Sequence, residues 1–258
     1  MQNVRPAAVA GLFYPNDPAV LTRAIEQYVG DARRGPSGKV KAIVAPHAGY
    51  AYSGPIAGSV FARLADQKAT IRRVLLLGPA HRVYFRGVAT PGVQAMRTPL
   101  GDVRTPAIAG AIAHPVAHAD EHSLEVELPF LQHLFGPEVE VVPLLVGEAD
   151  PQAVAKLLAD NWGGDETLIV ISSDLSHYLS YDDARASDRG TADQVLALDA
   201  HLTHDQACGA TPLNALLLAA KAKRLTPALV DLRNSGDTAG DKRRVVGYAG
   251  FVFAEEPA

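Results

Sequence analysis

Four stretches of the chain are short and continuously apolar: VKAIVAP (40–46), RVLLLGP (73–79), VEVVPLLVG (139–147) and TLIVISS (167–173). Unbroken apolar runs of this length, with many β-branched residues, predict strands covered on both faces, as in a parallel sheet. Between them lie helical patterns, PIAGSVFARLAD (55–66), PFLQHLF (129–135) and PQAVAKLLADNW (151–162), the last opened by Asp150-Pro151. An earlier amphipathic helix, AVLTRAIEQYV, follows Asp17-Pro18, where the missing N–H of proline costs nothing in the first turn. Alternating strands and helices predict an α/β fold: a doubly wound, three-layer α/β/α sandwich around a mostly parallel central sheet. Further on, YDDARASDRGTADQVLALDA (181–200) and PLNALLLAAKAKR (212–224) read as helices, PALVDLR (227–233) and RVVGYAGFVFA (244–254) as strands. The last strand has only a short loop behind it, so antiparallel pairing is expected there. The one linker-like stretch, DARRGPSGK (31–39), comes too early to divide two domains, and a single domain over residues 1–258 is expected.

In open α/β sheets, ligands bind beyond the carboxyl ends of the strands, where loops converge and helix N-termini point inward. Three of the predicted strands run straight into a histidine: AIVAP into His47, LLLGPA into His81 and IVISSDLS into His177. A lone histidine after a strand is usually a capped or solvated side chain, but three at one sheet edge point to a shared pocket, and His122 in ADEHSLEVELPFL joins them as a candidate. The same segment brings Glu121, Glu125 and Glu127 to a loop-to-helix junction where an acid or base could support the pocket, although Asp120 and Ser123 also read as ordinary loop or N-cap residues. Asp174, three residues before His177, is expected to orient that ring through a carboxylate hydrogen bond. His114, His118, His133, His201 and His204 share no edge and read as surface residues.

Imidazole is the commonest metal ligand, and two histidines plus a carboxylate leave positions open on iron for substrate and oxygen. Asp237 in NSGDTAGD (234–241) is therefore a candidate third ligand, or else an Asx-type turn beside glycine. Cys208 in CGATPLN reads as a small buried residue at a helix start in preference to a ligand. Serine catalysis is disfavoured, since no G-x-S-x-G elbow occurs and Ser172 and Ser173 have no identified base.

Composition narrows the partners. With 258 residues and 48% hydrophobic side chains, the chain can bury one large core. A formal net charge of -4 leaves no basic excess to neutralise phosphates, so small molecules or peptides are expected in place of nucleic acid. The single cysteine has no intrachain partner, and MQNVRPAAVAGLFYP lacks the basic-then-apolar pattern of a signal peptide, which together suit a reducing cytoplasm. No apolar run approaches the ~20 residues that cross a bilayer, so no membrane association is expected.

The strings RPAAVAGLFYP, APHAGYAYSGPIAG, LLLGPAHRVYFRGVA, DEHSLEVELPFLQ, ISSDLSHY, NSGDTAGD and VVGYAGF, in that order, resemble the Memo family (AmmeMemoRadiSam system protein B) from about Arg5 to Phe253. That family is similar in fold to LigB-type class III extradiol dioxygenases, so the resemblance implies a LigB-like domain. It implies that His47 and His81 are metal ligands and that His122 and His177 are pocket partners, His177 resembling the acid–base histidine. The dioxygenases take a glutamate as third ligand and eukaryotic Memo members a cysteine near the loop that here reads NSGDTAGD. Asp237 is the expected replacement, with Thr238 as the alternative alignment. A divalent metal is expected, iron(II) first, with copper or zinc as alternatives. The implied function is a dioxygenase-like, metal-dependent oxidoreductase. The competing readings are a peptide- or metal-binding module, a zinc hydrolase, and a role beside a radical-SAM protein in a modification pathway.

Overall fold

The computed structural model describes residues 3–32 and 38–255; the central part of the linker-like 31–39 stretch lies outside them. The strands are β1 (Val4–Arg5), β2 (Val40–Ala45), β3 (Arg73–Pro79), β4 (Val88–Thr90), β5 (Ala95–Thr98), β6 (Gly101–Arg104), β7 (Ile112–Ala113), β8 (Glu140–Val146), β9 (Thr167–Ser172), β10 (His177–Leu179), β11 (Thr226–Asn234) and β12 (Val245–Ala254). The helices are α1 (Pro18–Gly30), α2 (Tyr50–Phe61), α3 (Pro115–Ala119), α4 (Leu128–Phe135), α5 (Pro151–Asp160), α6 (Tyr181–Leu196), α7 (Ala210–Lys223) and α8 (Ser235–Thr238). Short 3-10 turns at Ala62–Gln67 and Glu125–Glu127 extend α2 and lead into α4.

All twelve strands join one sheet, whose main path runs β1-β5-β6-β8-β3-β9-β2-β12-β10. Its centre, β8-β3-β9-β2, is parallel. The last strand, β12, pairs antiparallel with β11, as its short preceding loop predicts, and also with β2. Helices cover both faces, giving the expected three-layer sandwich with a mostly parallel core.

The continuous apolar runs are explained by the two cores, one on each side of the sheet. Val74 and Leu76 of β3, and Leu168 and Val170 of β9, pack with α1, α2 and α4 through Leu21, Ile25, Val60 and Phe130. Their neighbours Leu75, Leu77, Ile169 and Ile171 pack on the opposite side with Leu157, Leu158, Leu213 and Leu217 of α5 and α7. Successive strand residues point to opposite faces, so a strand buried on both sides needs an apolar residue at every position. Each such fully buried aliphatic side chain contributes about 1.5–3 kcal/mol relative to exposure.

Local signals set the helix starts. The Asp17 carboxylate caps α1 by accepting from Val20 N–H at 2.9 Å, and Asp150 caps α5 by accepting from Gln152 N–H at 3.0 Å. One helix begins earlier than its proline suggests: α2 starts at Tyr50, with Pro55 inside it. Its first N–H is given to Phe13 carbonyl at 2.7 Å, so a contact across the fold supplies the start that the local sequence does not. The irregular β4–β7 region carries no periodic signal, and the sequence alone predicts no strands there. Among the described residues no helix is long and apolar enough to cross a membrane.

Candidate metal centre

The three neighbouring parallel strands β3, β9 and β2 end side by side, and the chain turns off each of them into a chemically loaded loop. His47 follows β2, His81 follows β3, and Ser172 to His177 follow β9. His122 arrives from the turn before α4, which is drawn against the end of β3 at Gly78. A Cβ there would lie 2.8 Å from Leu124 Cδ2 and 3.2 Å from Ser123 Oγ, so glycine is what lets the turn approach.

The result is a cluster of three imidazoles. One nitrogen from each of His47, His81 and His122 lies within 4.8 Å of the others, and among the described residues this is the one group of three or more potential ligands that close. The ring centroids are 5.3 Å apart for His47 and His81, 5.4 Å for His47 and His122, and 4.8 Å for His81 and His122. Exposure rises across the set: His47 is 2% exposed, while the side chains of His122 and His81 are 17% and 29% exposed, so the cluster opens on the His81 side. Phe13 packs on the His122 ring at 4.7 Å.

Two of the rings have their Nδ1 atoms committed. His81 Nδ1 donates to Glu121 Oε1 at 2.9 Å, and His81 N–H to Oε2 at 2.6 Å. The same carboxylate accepts from the backbone N–H groups of His122 (2.9 Å) and Ser123 (3.0 Å). Burial pushes the Glu121 proton affinity up, but its contacts with His122 and His81 outweigh that and hold the carboxyl far below the ordinary range. His47 Nδ1 is 2.8 Å from Ser172 Oγ. Burial above all, then the neighbouring His81 and His122, holds His47 well below the usual imidazole value, so it is neutral. Both rings are therefore left with Nε2 for a ligand. His122 Nδ1 lies 3.2 Å from Glu121 Oε1 but off the line of a hydrogen bond, which leaves it without such a partner.

The donor set suits a divalent ion of the borderline class, since neutral imidazoles backed by a carboxylate or hydroxyl are the usual ligands of iron, copper and zinc. It is not the set expected from the sequence. Asp237 does not reach the imidazoles: it is exposed, its Oδ1 accepts from Tyr181 Oη at 2.5 Å and its Oδ2 from Asn234 N–H at 3.0 Å in a capping box at α8. The Asx-type turn reading describes it, and Thr238, bonded to Ser235 carbonyl at 3.3 Å, also lies outside the cluster. The sequence pointed to His122 as a pocket partner; the structure places it level with His47 and His81.

Asp174 also departs from expectation. Its Oδ1 accepts from the backbone N–H of His47 at 2.8 Å, and no hydrogen bond joins it to the His177 ring. It thus fixes the loop that carries His47, while burial raises its proton affinity and the nearby His177 opposes that rise. His177 stands outside the trio, half-buried on β10 at an irregular pairing with β12, with its charge felt at both Asp174 and His47. Cys208, read as structural, has its Sγ 3.4 Å from His47 Nε2. Gly209 makes this contact available: a Cβ there would lie 2.7 Å from Ser173 Cβ, so the turn lies flat on the end of β9. Burial first, then Asp174, pushes the thiol up to about 12. His118 is buried rather than on the surface, with Nε2 donating to Ala89 carbonyl at 2.9 Å. No spacing rule signals either contact, because each depends on which loops the fold brings together.

Sheet, crossovers and cluster together define an α/β protein with a three-histidine pocket at the carboxyl ends of its central parallel strands. A sequence model of the Memo-like proteins matches residues 5–252, and the chain belongs to that family. It is 35% identical over 280 residues to a MEMO1 family protein of Methanopyrus kandleri, covering 96% of this chain and 98% of that one. MEMO1 family proteins of Archaeoglobus fulgidus and Aquifex aeolicus are 35% and 34% identical, each over 97% of this chain and 99% of theirs.

Proposed function

We propose that His47, His81 and His122 hold one divalent metal ion, and that the protein is a non-haem, metal-dependent oxidoreductase acting on a small molecule that enters from the His81 side. The observation that carries the reading is the convergence of three imidazole nitrogens within 4.8 Å. Glu121 and Ser172 tie the far sides of His81 and His47, the arrangement that orients rings toward a metal. A bound iron(II) or copper ion would supply redox chemistry, and the Memo-type motifs, whose family is similar in fold to ring-cleaving dioxygenases, support that class over others. Fold likeness alone does not fix an activity, so the chemistry rests on the site. In this reading His177, half-buried and outside the trio, would exchange a proton with substrate, and Asp174 would keep the His47 loop in register for it.

Zinc hydrolysis is the second reading. The observation favouring it is the ligand set itself, three imidazoles with no directly facing carboxylate, which zinc accepts in catalytic sites.

Metal analysis of the purified protein beside His47→Ala, His81→Ala and His122→Ala variants tests the centre: one ion per chain is expected, lost in each variant. Iron or copper with oxygen consumption on a catechol panel supports the oxidoreductase, and zinc with ester hydrolysis supports the alternative. A chain that binds no metal under anaerobic reconstitution overturns both.

A further inference from the structure

Three glutamates in the segment EHSLEVE are buried, yet they are satisfied in very different ways. Glu121 accepts four hydrogen bonds around the imidazoles. Glu125 receives Arg5, Tyr14 Oη at 2.6 Å and the N–H groups of Ala8 and Val9 at 2.8 and 2.9 Å. Glu127 is fully buried with a single hydrogen-bond partner, Ser172 Oγ at 3.0 Å, and its Oε2 has none. A buried carboxylate with one contact and an orphan oxygen costs several kcal/mol, whereas a neutral acid can leave its carbonyl unpaired far more cheaply.

Ser172 gives a sharper constraint. Its hydroxyl has one proton and two lone pairs. Three groups crowd the oxygen: Ser123 carbonyl at 2.6 Å, His47 Nδ1 at 2.8 Å and Glu127 Oε1 at 3.0 Å. A carbonyl can only accept, and it is the nearest, so the Ser172 proton goes to Ser123. The other two contacts are then hydrogen bonds only if both neighbours donate.

We infer that Glu127 is a positioning residue held as a neutral carboxylic acid, which donates to Ser172, saturates that hydroxyl and thereby locks His47 in the Nδ1–H tautomer with Nε2 bare toward His81 and His122. Burial raises the Glu127 proton affinity, and Asp174 adds to the rise. The Cys208 sulfur lies 3.4 Å from His47 Nε2, on the side that this tautomer leaves bare. The two ligand rings are thus backed differently: His81 by an anion, His47 by a neutral chain of hydroxyl and acid. That difference matters for a metal only if the proposed centre is correct, but the protonation states themselves do not depend on it.

The test therefore begins with metal-free protein. Infrared spectra at pH 7 of the wild-type chain carrying glutamate labelled with carbon-13 at its side-chain carboxyl should show an isotope-shifted carbonyl stretch of a protonated carboxyl group, absent in Glu127→Gln. Labelling separates it from Asp174. Should that variant fail to fold, Ser172→Ala must shift the band, because the acceptor of the acid's proton is gone. Nitrogen-15 NMR of histidine-labelled protein should show His47 protonated on Nδ1. Where metal binds, Glu127→Gln, a neutral donor, should keep affinity within about threefold, and Glu127→Leu should lose about 10–100-fold. Absence of a protonated glutamate band, a His47 Nε2–H tautomer, or equal metal loss in the Gln and Leu variants overturns the inference. Failure of the wild type to bind metal would count against the proposed function and leave the two spectroscopic results standing.

Discussion

The Nδ1 atom of His81 lies 2.9 Å from Oε1 of Glu121, whose other oxygen holds the backbone N–H of the same histidine at 2.6 Å. One carboxylate thus fixes both the ring and the main chain of a candidate ligand, and it holds the His122 turn by the same means. Glu121→Ala should lower metal affinity about 10–100-fold, as loss of a carboxylate behind a ligating histidine does elsewhere. Glu121→Gln should recover only part, because an amide has one acceptor oxygen where the carboxylate uses two. Competition against a chelating dye measures both.

The proposed ligand set can be separated from the sequence expectation by mutation. His122→Ala should lose metal as fully as His47→Ala, whereas Asp237→Asn should retain it, since Asp237 spends its oxygens on Tyr181 and Asn234 N–H. Retained metal in His122→Ala together with loss in Asp237→Asn would restore the two-histidine-one-carboxylate set.

Much of the fold was legible, because burial on both faces of a central strand imposes an apolar residue at every position and leaves little ambiguity in β2, β3, β8 and β9. The strand-to-histidine junctions located His47 and His81 for the same reason: a parallel sheet puts all its carboxyl ends at one edge. What failed to show was tertiary in origin. Asp237 and Cys208 are both small polar residues beside glycine, and local sequence carries the same turn signal for each. Only the paths of the α6–α7 and β11–β12 connections decide that the thiol meets His47 while the carboxylate caps α8. His118 is hidden from the local pattern in the same way: a histidine in AHPVAHAD looks solvated until Arg5 and β4 close over it.

That burial has a pH consequence. Desolvation above all lowers His118 from 6.5 to about 4, with the hydrogen bond to Ala89 opposing. Between those values the unfolded chain takes up a proton that the folded chain refuses, so stability falls as pH drops from about 6.5 toward 4 and falls no further from this group below that. The loss should reach about 2–3 kcal/mol at pH 4.5. Urea titrations at pH 7 and 4.5 should show it, and His118→Gln, which keeps a donor for Ala89 without the titration, should shrink the difference by that amount. Equal pH dependence in both proteins would refute the assignment. Glu121 acts in a separate window, its contribution present at neutral pH and lost only as pH falls below the ordinary carboxylate range.

Arg5 ties the start of the described chain to the site: it pairs with Glu125, and its Nε and Nη2 donate to the carbonyls of His118 and Glu121 at 2.7 Å each. Both partners are buried, so removing one leaves an uncompensated charge. Arg5→Met should cost about 3–5 kcal/mol in chemical denaturation, and the double variant Arg5→Met/Glu125→Leu should cost less than Arg5→Met alone. A single variant within ~1 kcal/mol of wild type would show that the pair is solvated in practice.

Gly78 couples packing to the site most directly. The side chain added by Gly78→Ala would press on Leu124 Cδ2 at 2.8 Å and Ser123 Oγ at 3.2 Å, and Leu124 is buried in the core with little room to give. Overpacking of this kind costs about 1–3 kcal/mol. The residue displaced, Ser123, bonds Pro79 carbonyl through Oγ at 2.8 Å, gives its N–H to Glu121 and receives the Ser172 proton at its carbonyl. Strain at Gly78 is therefore transmitted to the groups behind His81 and His47 alike, and Gly78→Ala should weaken metal binding as well as stability. Gly30→Ala is the control: a Cβ there meets nothing within 4 Å, and stability should stay within about 0.5 kcal/mol with metal affinity unchanged. If Gly78→Ala loses stability but binds metal like the wild type, the turn moves as a rigid unit and the imidazoles are held by Glu121 without help from Ser123.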